Sequence, residues 1–387
     1  MEKIIFNDGM KIVLYENNQV KEFDVDFFTQ YITNSIKQTE KDRWKHSGLG
    51  AQFRGDAIYD LQNKQSNEII RSEITSLSFI DNSTINYSVF INDISAVYSK
   101  NLLSEKDSES HIIHDNNLII KGSNEKNNKV LLTLSNDNVT SHLAIFDRRE
   151  DDYTSITDGD SFDENPSYSN YNDNVILFSS KGVGRDFNGN FIEYSPSSIY
   201  SYNETTLEVN EIYSDENYSF IKPKQDSLGN IYAIRKPIKE KRKSNLLLNI
   251  ILIPFRIAQS IYYMFESFSK AFTGKGFTEN NSNPAKNNNK KPNEIFIEGN
   301  LIYADKELKL NNKHKDDFAG IIPRSYELIK ISTNNEVSVI KKGIIAFDIF
   351  KDNSLCVSNG KYILKTDGIN TEKLCEGRLA TCISIQK

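Results

Sequence analysis

Short apolar runs rich in Ile, Val, Tyr and Phe recur in groups of four along this chain, parted by Asn, Asp, Gly and Ser. That recurrence limits its fold more than any other feature, because it is the signal of an all-β repeat. Residues 74–117 hold ITSLSF, INYSVFIND, AVYSKNL and SHIIHD; residues 118–160 hold KVLLTLS, VTSHLAIFDR and DYTSITDGD. Residues 161–215 hold NPSYS, NVILFSS, SSIYSYN and LEVNEIYS. A fourth group opens with YSFIKPK and GNIYAIRKP and resumes, after an interruption, with EIFIEGNLIY, SYELIKIS and EVSVIKK. A fifth is IAFDIF, SLCVSNG, KYILKTD and TEKLCEG. With the interruption removed the period is roughly 40–50 residues, the length of a four-stranded propeller blade.

The two ends complete the pattern. RLATCISIQK, after Gly377, supplies one strand with nothing following it. EKIIFND, MKIVLYENN and QVKEF supply three strands, with a hairpin turn at Asn7-Asp8-Gly9. Together they make one blade, and pairing the ends removes the open sheet edge that a stack of blades would expose. A poorly patterned blade at about 25–73, around WKHSGLGAQFRGD, AIYDL and NEIIR, brings the expectation to a closed all-β propeller of seven blades over residues 1–387. Six and eight are the neighbouring possibilities.

Residues 163–180, DENPSYSNYNDNVILFSS, and SSIYSYN at 197–203 carry a more specific pattern. It resembles the repeat of TolB-like propellers and of the N-terminal propeller of the dipeptidyl-peptidase IV family. Asn165-Pro166-Ser167-Tyr168-Ser169, Val175 to Phe178, Ser179-Ser180 and Ile199-Tyr200 carry the match. Asn170 to Asn174 replace the usual Pro-Asp-Gly turn, and GVGRDFNGNFIEYSP is an extra stretch between the last two strands. The resemblance implies a propeller fold and no particular activity.

Composition excludes several functions. The net charge is −6, so the chain as a whole is not a non-specific nucleic-acid binder. Its mean hydropathy of −0.53 is that of a soluble protein on average. The cysteines, Cys356, Cys375 and Cys382, are odd in number and form no C-x-x-C, which argues for reduced core thiols and against a zinc site. The apolar runs at the N-terminus are too short for a signal-peptide core, so the expected location is the cytoplasm.

Candidate chemistry is thin. His111 and His114 stand three apart, which on a strand puts them on opposite faces, unable to share a metal. His46, His142 and His314 have no partner visible in the sequence. Asp158 to Glu164, DGDSFDE, lacks calcium-loop spacing and reads as a solvated turn between blades. Gly182-Val183-Gly184 lacks the rest of a phosphate loop and reads as a hairpin loop. His46-Ser47 belongs to no G-x-S-x-G elbow, and the chain leaves no room for a hydrolase domain. Asp226-Ser227-Leu228-Gly229-Asn230 reads as a turn, although it resembles strand entries of lactonase-like propellers, which hold a divalent metal at the ring centre.

The interruption, 236–294, is the strongest functional lead. It holds a basic cluster and an apolar block in KEKRKSNLLLNIILIPFRIAQSIYYMF, and an Asn/Lys-rich linker that runs on to Glu294. Ser244 or Asn245 caps a helix that starts at Leu246, and Pro254 bends it. Asn249, Arg256, Ser260, Tyr263, Ser267 and Lys270 fall on one narrow stripe of the helix. Leu247, Leu248, Ile251, Phe255, Ala258, Tyr262, Phe265 and Phe268 take much of the remainder. A crossing would bury Arg256 at mid-depth, costing about 2.5–3.5 kcal/mol, and would put half a blade on each side of the bilayer. No transmembrane span is therefore expected. A helix lying in the interface fits better, with Lys239, Lys241, Arg242 and Lys243 on anionic headgroups. The propeller's own side, a second subunit or another protein are the other surfaces that would cover it.

The expectation is a propeller that binds or scaffolds rather than catalyses, and takes no cofactor, metal or nucleic acid. Its contact surface is 244–272, through Lys241, Arg242, Lys243, Leu247, Leu248, Ile251, Phe255, Tyr262, Phe265 and Phe268. The partner is a protein or the inner face of the membrane. The alternative is a lactonase-like hydrolase or lyase with a metal at the ring centre.

Overall fold

The structure, a computed structural model, describes residues 2–42, 72–91, 94–104, 109–114, 119–135, 137, 139–150, 152–238, 294–297, 300–314 and 318–386. The chain divides into one unit of 1–237 with 295–387 and another of 238–294; the blades lie in the first.

Three N-terminal strands, β1 (Ile4–Asp8), β2 (Lys11–Glu16) and β3 (Gln19–Asp24), form a meander. Gly9, at φ 61°, turns the first hairpin, as the sequence predicts. Asn17 and Asn18, at φ 54° and 60°, turn the second; two positive φ angles match the right-handed twist of the strands. The next blades are β4 (Ser72–Phe79) to β7 (Glu109–His114), with β5 (Thr84–Ile91) and β6 (Ile94–Asn101) between. Then come β8 (Ile119–Lys126), β9 (Lys129–Ser135), β10 (His142–Asp147) and β11 (Asp152–Ser155). The following blade is β12 (Ser161–Tyr168), β13 (Val175–Arg185), β15 (Ser198–Asn203) and β16 (Glu208–Tyr213). In it β14 (Phe191–Tyr194) pairs with the far end of β13.

The fifth blade is interrupted. It joins β17 (Tyr218–Gln225) and β18 (Ile231–Pro237) to β21 (Glu327–Ile331) and β22 (Val337–Lys342). EIFIEGNLIY does not belong to that blade as the sequence suggests. It forms a separate pair, β19 (Glu294–Ile297) with β20 (Asn300–Tyr303), followed by a helix at Ala304–Lys313. The last blade is β23 (Ala346–Ile349), β24 (Leu355–Ser358), β25 (Tyr362–Thr366) and β26 (Thr371–Glu376). A final strand, β27 (Ile383–Ile385), pairs antiparallel with β1, Ile4 opposite Ile385 and Phe6 opposite Ile383. The two ends of the described chain thus share one blade.

Among the described residues the blades number six, not the expected seven. The innermost strands touch in a closed order, β27–β4–β8–β12–β17–β23 and back to β27, which leaves no place for another. What stands where the extra blade was expected begins with a helix, α1 (Asp26–Asp42). WKHSGLGAQFRGD, AIYDL and NEIIR lie outside the described residues. The apolar residues of α1 pack on one side: Phe28 is buried, and Phe27 and Tyr31 lie beside it. Phe27 packs 5.6 Å from Tyr98 on β6, so α1 covers the second blade.

Alternate residues of the strands fill the spaces between blades. Phe6, Ile234, Leu328, Phe347, Val357 and Ile363 belong to one cluster spanning the fifth, sixth and first blades. Burying each such side chain is worth roughly 1.5–3 kcal/mol before conformational entropy is set against it. Cys356 and Cys375 are free thiols within this core; burial pushes Cys375 up to about 12 and Cys356 well above its usual value. Both are inert in that state.

Candidate functional site at the centre of the ring

Four of the six inner strands carry an extra residue at mid-length. Pairing slips between Ile74 and Ser76, Ile120 and Gly122, Glu164 and Ser167, and Ile221 and Lys224. Such bulges bend a strand and re-aim its side chains. The inserted residues are Thr75, Lys121, Asn165-Pro166 and Lys222-Pro223. Proline suits this place, where no ladder N–H is required. Asn165 and Lys222 both take φ 55°, the left-handed conformation a bulge of this kind demands. All these residues line one cavity of about 110 Å³ on the ring axis, with Ser76, Ser123, Asn124, Ser167, Lys224, Phe347, Thr381 and Cys382.

Its charges are lysines, and they sit in different circumstances. Lys224 Nζ lies 2.8 Å from Asp348 Oδ1, while Asp348 Oδ2 accepts the backbone N–H of Ile385 at 2.8 Å. One carboxylate therefore ties the fifth, sixth and first blades together. Lys222 Nζ donates to the carbonyls of Ile345 at 3.1 Å and Thr381 at 2.8 Å, crossing the same junctions. Asn7 Oδ1 accepts the N–H groups of Thr381 and Cys382, each at 2.8 Å.

Lys121, on β8, stands apart from this network. Its Nζ lies 4.2 Å from the centre of the Phe162 ring and makes no hydrogen bond or ion pair among the described residues. Burial first, and then the neighbouring Lys181 ammonium, push it down to about 8, against the attraction of Glu164 and Asp137. Lys181 stacks on the same ring at 4.1 Å and pairs with Glu164 at 3.6 Å. Most of the hydroxyls are occupied in stitching blades: Ser76 Oγ accepts the Ser123 N–H at 2.9 Å, and Ser167 Oγ donates to the Pro223 carbonyl at 2.6 Å. Asn124 makes no side-chain hydrogen bond among the described residues.

The sequence candidates fall elsewhere. Among the described residues no three His, Cys, Asp or Glu side chains come together as a metal site, at the channel or away from it. His111 packs edge-on against Tyr98 at 5.3 Å. His142 Nδ1 lies 3.9 Å from Asp163 Oδ2 without a hydrogen bond. His314 caps the 304–313 helix, and His46 lies outside the described residues. Of DGDSFDE only the Asp158–Asp160 part is a turn: Ser161 opens β12, and Asp163 is buried and accepts the Ser180 hydroxyl at 2.6 Å. Gly182 to Gly184 are not the hairpin loop expected but the extended end of β13, Val183 opposite Tyr194. The loop itself is Asp186–Asn190. Asp226 does make the predicted turn, accepting the N–H groups of Leu228 at 2.9 Å and Asn230 at 2.8 Å.

Lys241, Arg242, Lys243, Leu247, Leu248, Ile251, Phe255, Tyr262, Phe265 and Phe268 lie outside the described residues. No helix among the described residues is long and apolar enough to cross a membrane. The channel lysines were not singled out from the sequence. The available signal was the proline that recurs in N-P-S at 165–167 and K-P-K at 222–224, on the first strands of adjacent blades.

No protein-family model and no curated protein matches the sequence. Among solved structures the chain is similar to TolB from Acinetobacter baumannii, at 10% identity and TM-score 0.49, covering 100% of this chain and 66% of that one. It is similar to the tricorn protease at 10% identity and TM-score 0.42, covering 96% of this chain and 29% of that one. A puromycin hydrolase follows at 4% identity and TM-score 0.31, covering 40% of this chain and 24% of that one. The chain thus spans just under two thirds of TolB and less than a third of the protease. Its own strand pairing makes the chain a β-propeller of six blades among the described residues.

Proposed function

We propose that the protein is a non-enzymatic binding or scaffold propeller, working at the cytoplasmic face of a membrane or on a protein partner. The observation that carries this is the chemistry of the channel. Lysine, hydroxyl, amide and proline side chains line it, and the acid nearest its lysines, Asp348, is engaged by Lys224 and the Ile385 N–H. That set supplies binding donors, and among the described residues it lacks the paired carboxylates, activated nucleophile or ligand cluster that hydrolysis calls for. The lactonase-like alternative requires acidic and amide side chains converging on a metal, and among the described residues only the two amides, Asn124 and Asn165, line the cavity.

The proposed tether is the 239–272 stretch, on the strength of its basic cluster and broad apolar face. The stretch follows β18, which ends at Pro237. Flotation with anionic vesicles compares the full chain with one lacking 244–290. The full chain is expected to float and the deletion to stay behind. Equal recovery of both in the soluble fraction removes the membrane reading, leaving the protein-partner one.

A further inference from the structure

Lys121 poses a physical problem that its fellow lysines do not. A largely buried ammonium loses hydration, and the loss is tolerable only if other groups replace the water. Lys224 has a carboxylate and Lys222 has two carbonyls. Lys121 has one aromatic face, shared with a second cation at 4.1 Å from the same ring. A methionine would pack on Phe162 as well, without the charge. The fold therefore returns less to this ammonium than to those of Lys222 and Lys224.

The surroundings favour a negative guest. Besides Lys121, the cavity wall carries Lys222 and Lys224, and the Asn124 and Asn165 amides are lightly held: Asn165 Nδ2 has only a 3.5 Å contact with Ser179 Oγ. The charged groups facing Lys121 are Glu164 from β12, Lys181 from β13 and Asp137 beyond β9. Glu164 is paired with Lys181, and across the cavity Asp348 is paired with Lys224. Once these carboxylates are assigned, positive charge is left over at Lys121. At about 110 Å³ the cavity has room for inorganic phosphate or a short-chain carboxylate.

We propose that the ring centre is a binding site for a small oxyanion, with the Lys121 ammonium as its charge partner and the Asn124 and Asn165 amides as hydrogen-bond donors. This rests on reading the channel as a binding site. It is independent of the 239–272 insertion, so a failed flotation leaves it standing.

The test is calorimetric titration of the full chain with inorganic phosphate and with succinate at fixed ionic strength, sodium chloride serving as the control. Saturable binding of one or both is expected; phosphate alone would identify a tetrahedral guest and succinate alone a carboxylate. Lys121→Met should weaken binding roughly tenfold or more, the loss of one charge-assisted contact. Lys121→Arg should retain it. Succinate stays doubly charged above neutrality, so its affinity for the wild type should fall as pH rises past about 8, where Lys121 loses its proton. In Lys121→Arg that fall should vanish. The pH series on the wild type stands even if the methionine variant misfolds. Heat no greater than that of chloride, or binding indifferent to both Lys121→Met and pH, overturns the proposal.

Discussion

The two sides of the channel use the same residue type to opposite ends. Where the ring closes, Lys222 and Lys224 are structural: their ammonium groups join the fifth and sixth blades to the strand that returns to the first. Across the axis, Lys121 occupies an equivalent bulge on its own blade, and there the fold gives it only the face of Phe162. The difference comes from the groups that stand opposite each bulge. Beside β17 the backbone of 345 and 381 turns its carbonyls inward, and Asp348 is within reach. Beside β8 the neighbours are blade-stitching serines and a second lysine that has already taken Glu164. Similar local geometry thus yields a clamp on one side and an unsatisfied charge on the other.

The comparison breaks most visibly at Asp348. Asp348→Ala strands the Lys224 ammonium and leaves the Ile385 N–H without its acceptor. It should destabilise the ring by about 2–4 kcal/mol, the cost of breaking a buried pair lowered for the partial exposure of Lys224. The urea midpoint measures it, and an unchanged midpoint would mean that the closure does not depend on this carboxylate. Lys222→Met removes two charge-assisted bonds to carbonyls and should cost about 1.5–3 kcal/mol on the same assay. A larger loss for Lys222→Met than for Asp348→Ala would reverse the ranking of the two clamps.

Lys121→Met, by contrast, should leave stability at pH 7 equal or slightly raised, since it removes a cation that the fold penalises. The sign of its pH dependence is specific. Folding lowers this lysine from 10.5 to about 8, so between these values the unfolded chain binds the extra proton. Stability of the wild type relative to Lys121→Met should therefore rise from pH 8 to pH 10.5. The rise is on the order of 1 kcal/mol once solvent screening is allowed for. A flat difference across that window would show that the ammonium is not desolvated at all.

The strand repeat and the shared terminal blade were readable because strand period and turn chemistry are local. Alternating Ile, Val and Tyr with Asn-Asn and Asn-Asp-Gly turns leave few other options. The blade count was not. Phe27, Phe28 and Tyr31 are as apolar as a strand, and only their packing against Tyr98 and the rest of the second blade makes them one face of a helix. The channel lysines were hidden for a related reason: a bulge exists only relative to the register of a partner strand, and sequence carries no register mark at Lys121.

Two turns of identical pattern separate what each level decides. Asp186-Phe187-Asn188-Gly189-Asn190 and Asp226-Ser227-Leu228-Gly229-Asn230 make the same bonds, an aspartate accepting from the residues two and four ahead. In both, the glycine takes a positive φ, 82° and 89°. The sequence alone determines that much, because the interactions span five residues. Tertiary structure decides the rest. Phe187 stands fully exposed on a hairpin that leaves the ring, while Asp226 is buried, takes the Tyr232 hydroxyl at 3.3 Å, and has Gly229 pressed against Tyr171 and Thr333. Burial and charge partnership depend on neighbours far away in the chain. For the same reason the sequence specified a closed propeller, and only the closed ring settled which lysines became structure and which one was left facing the cavity.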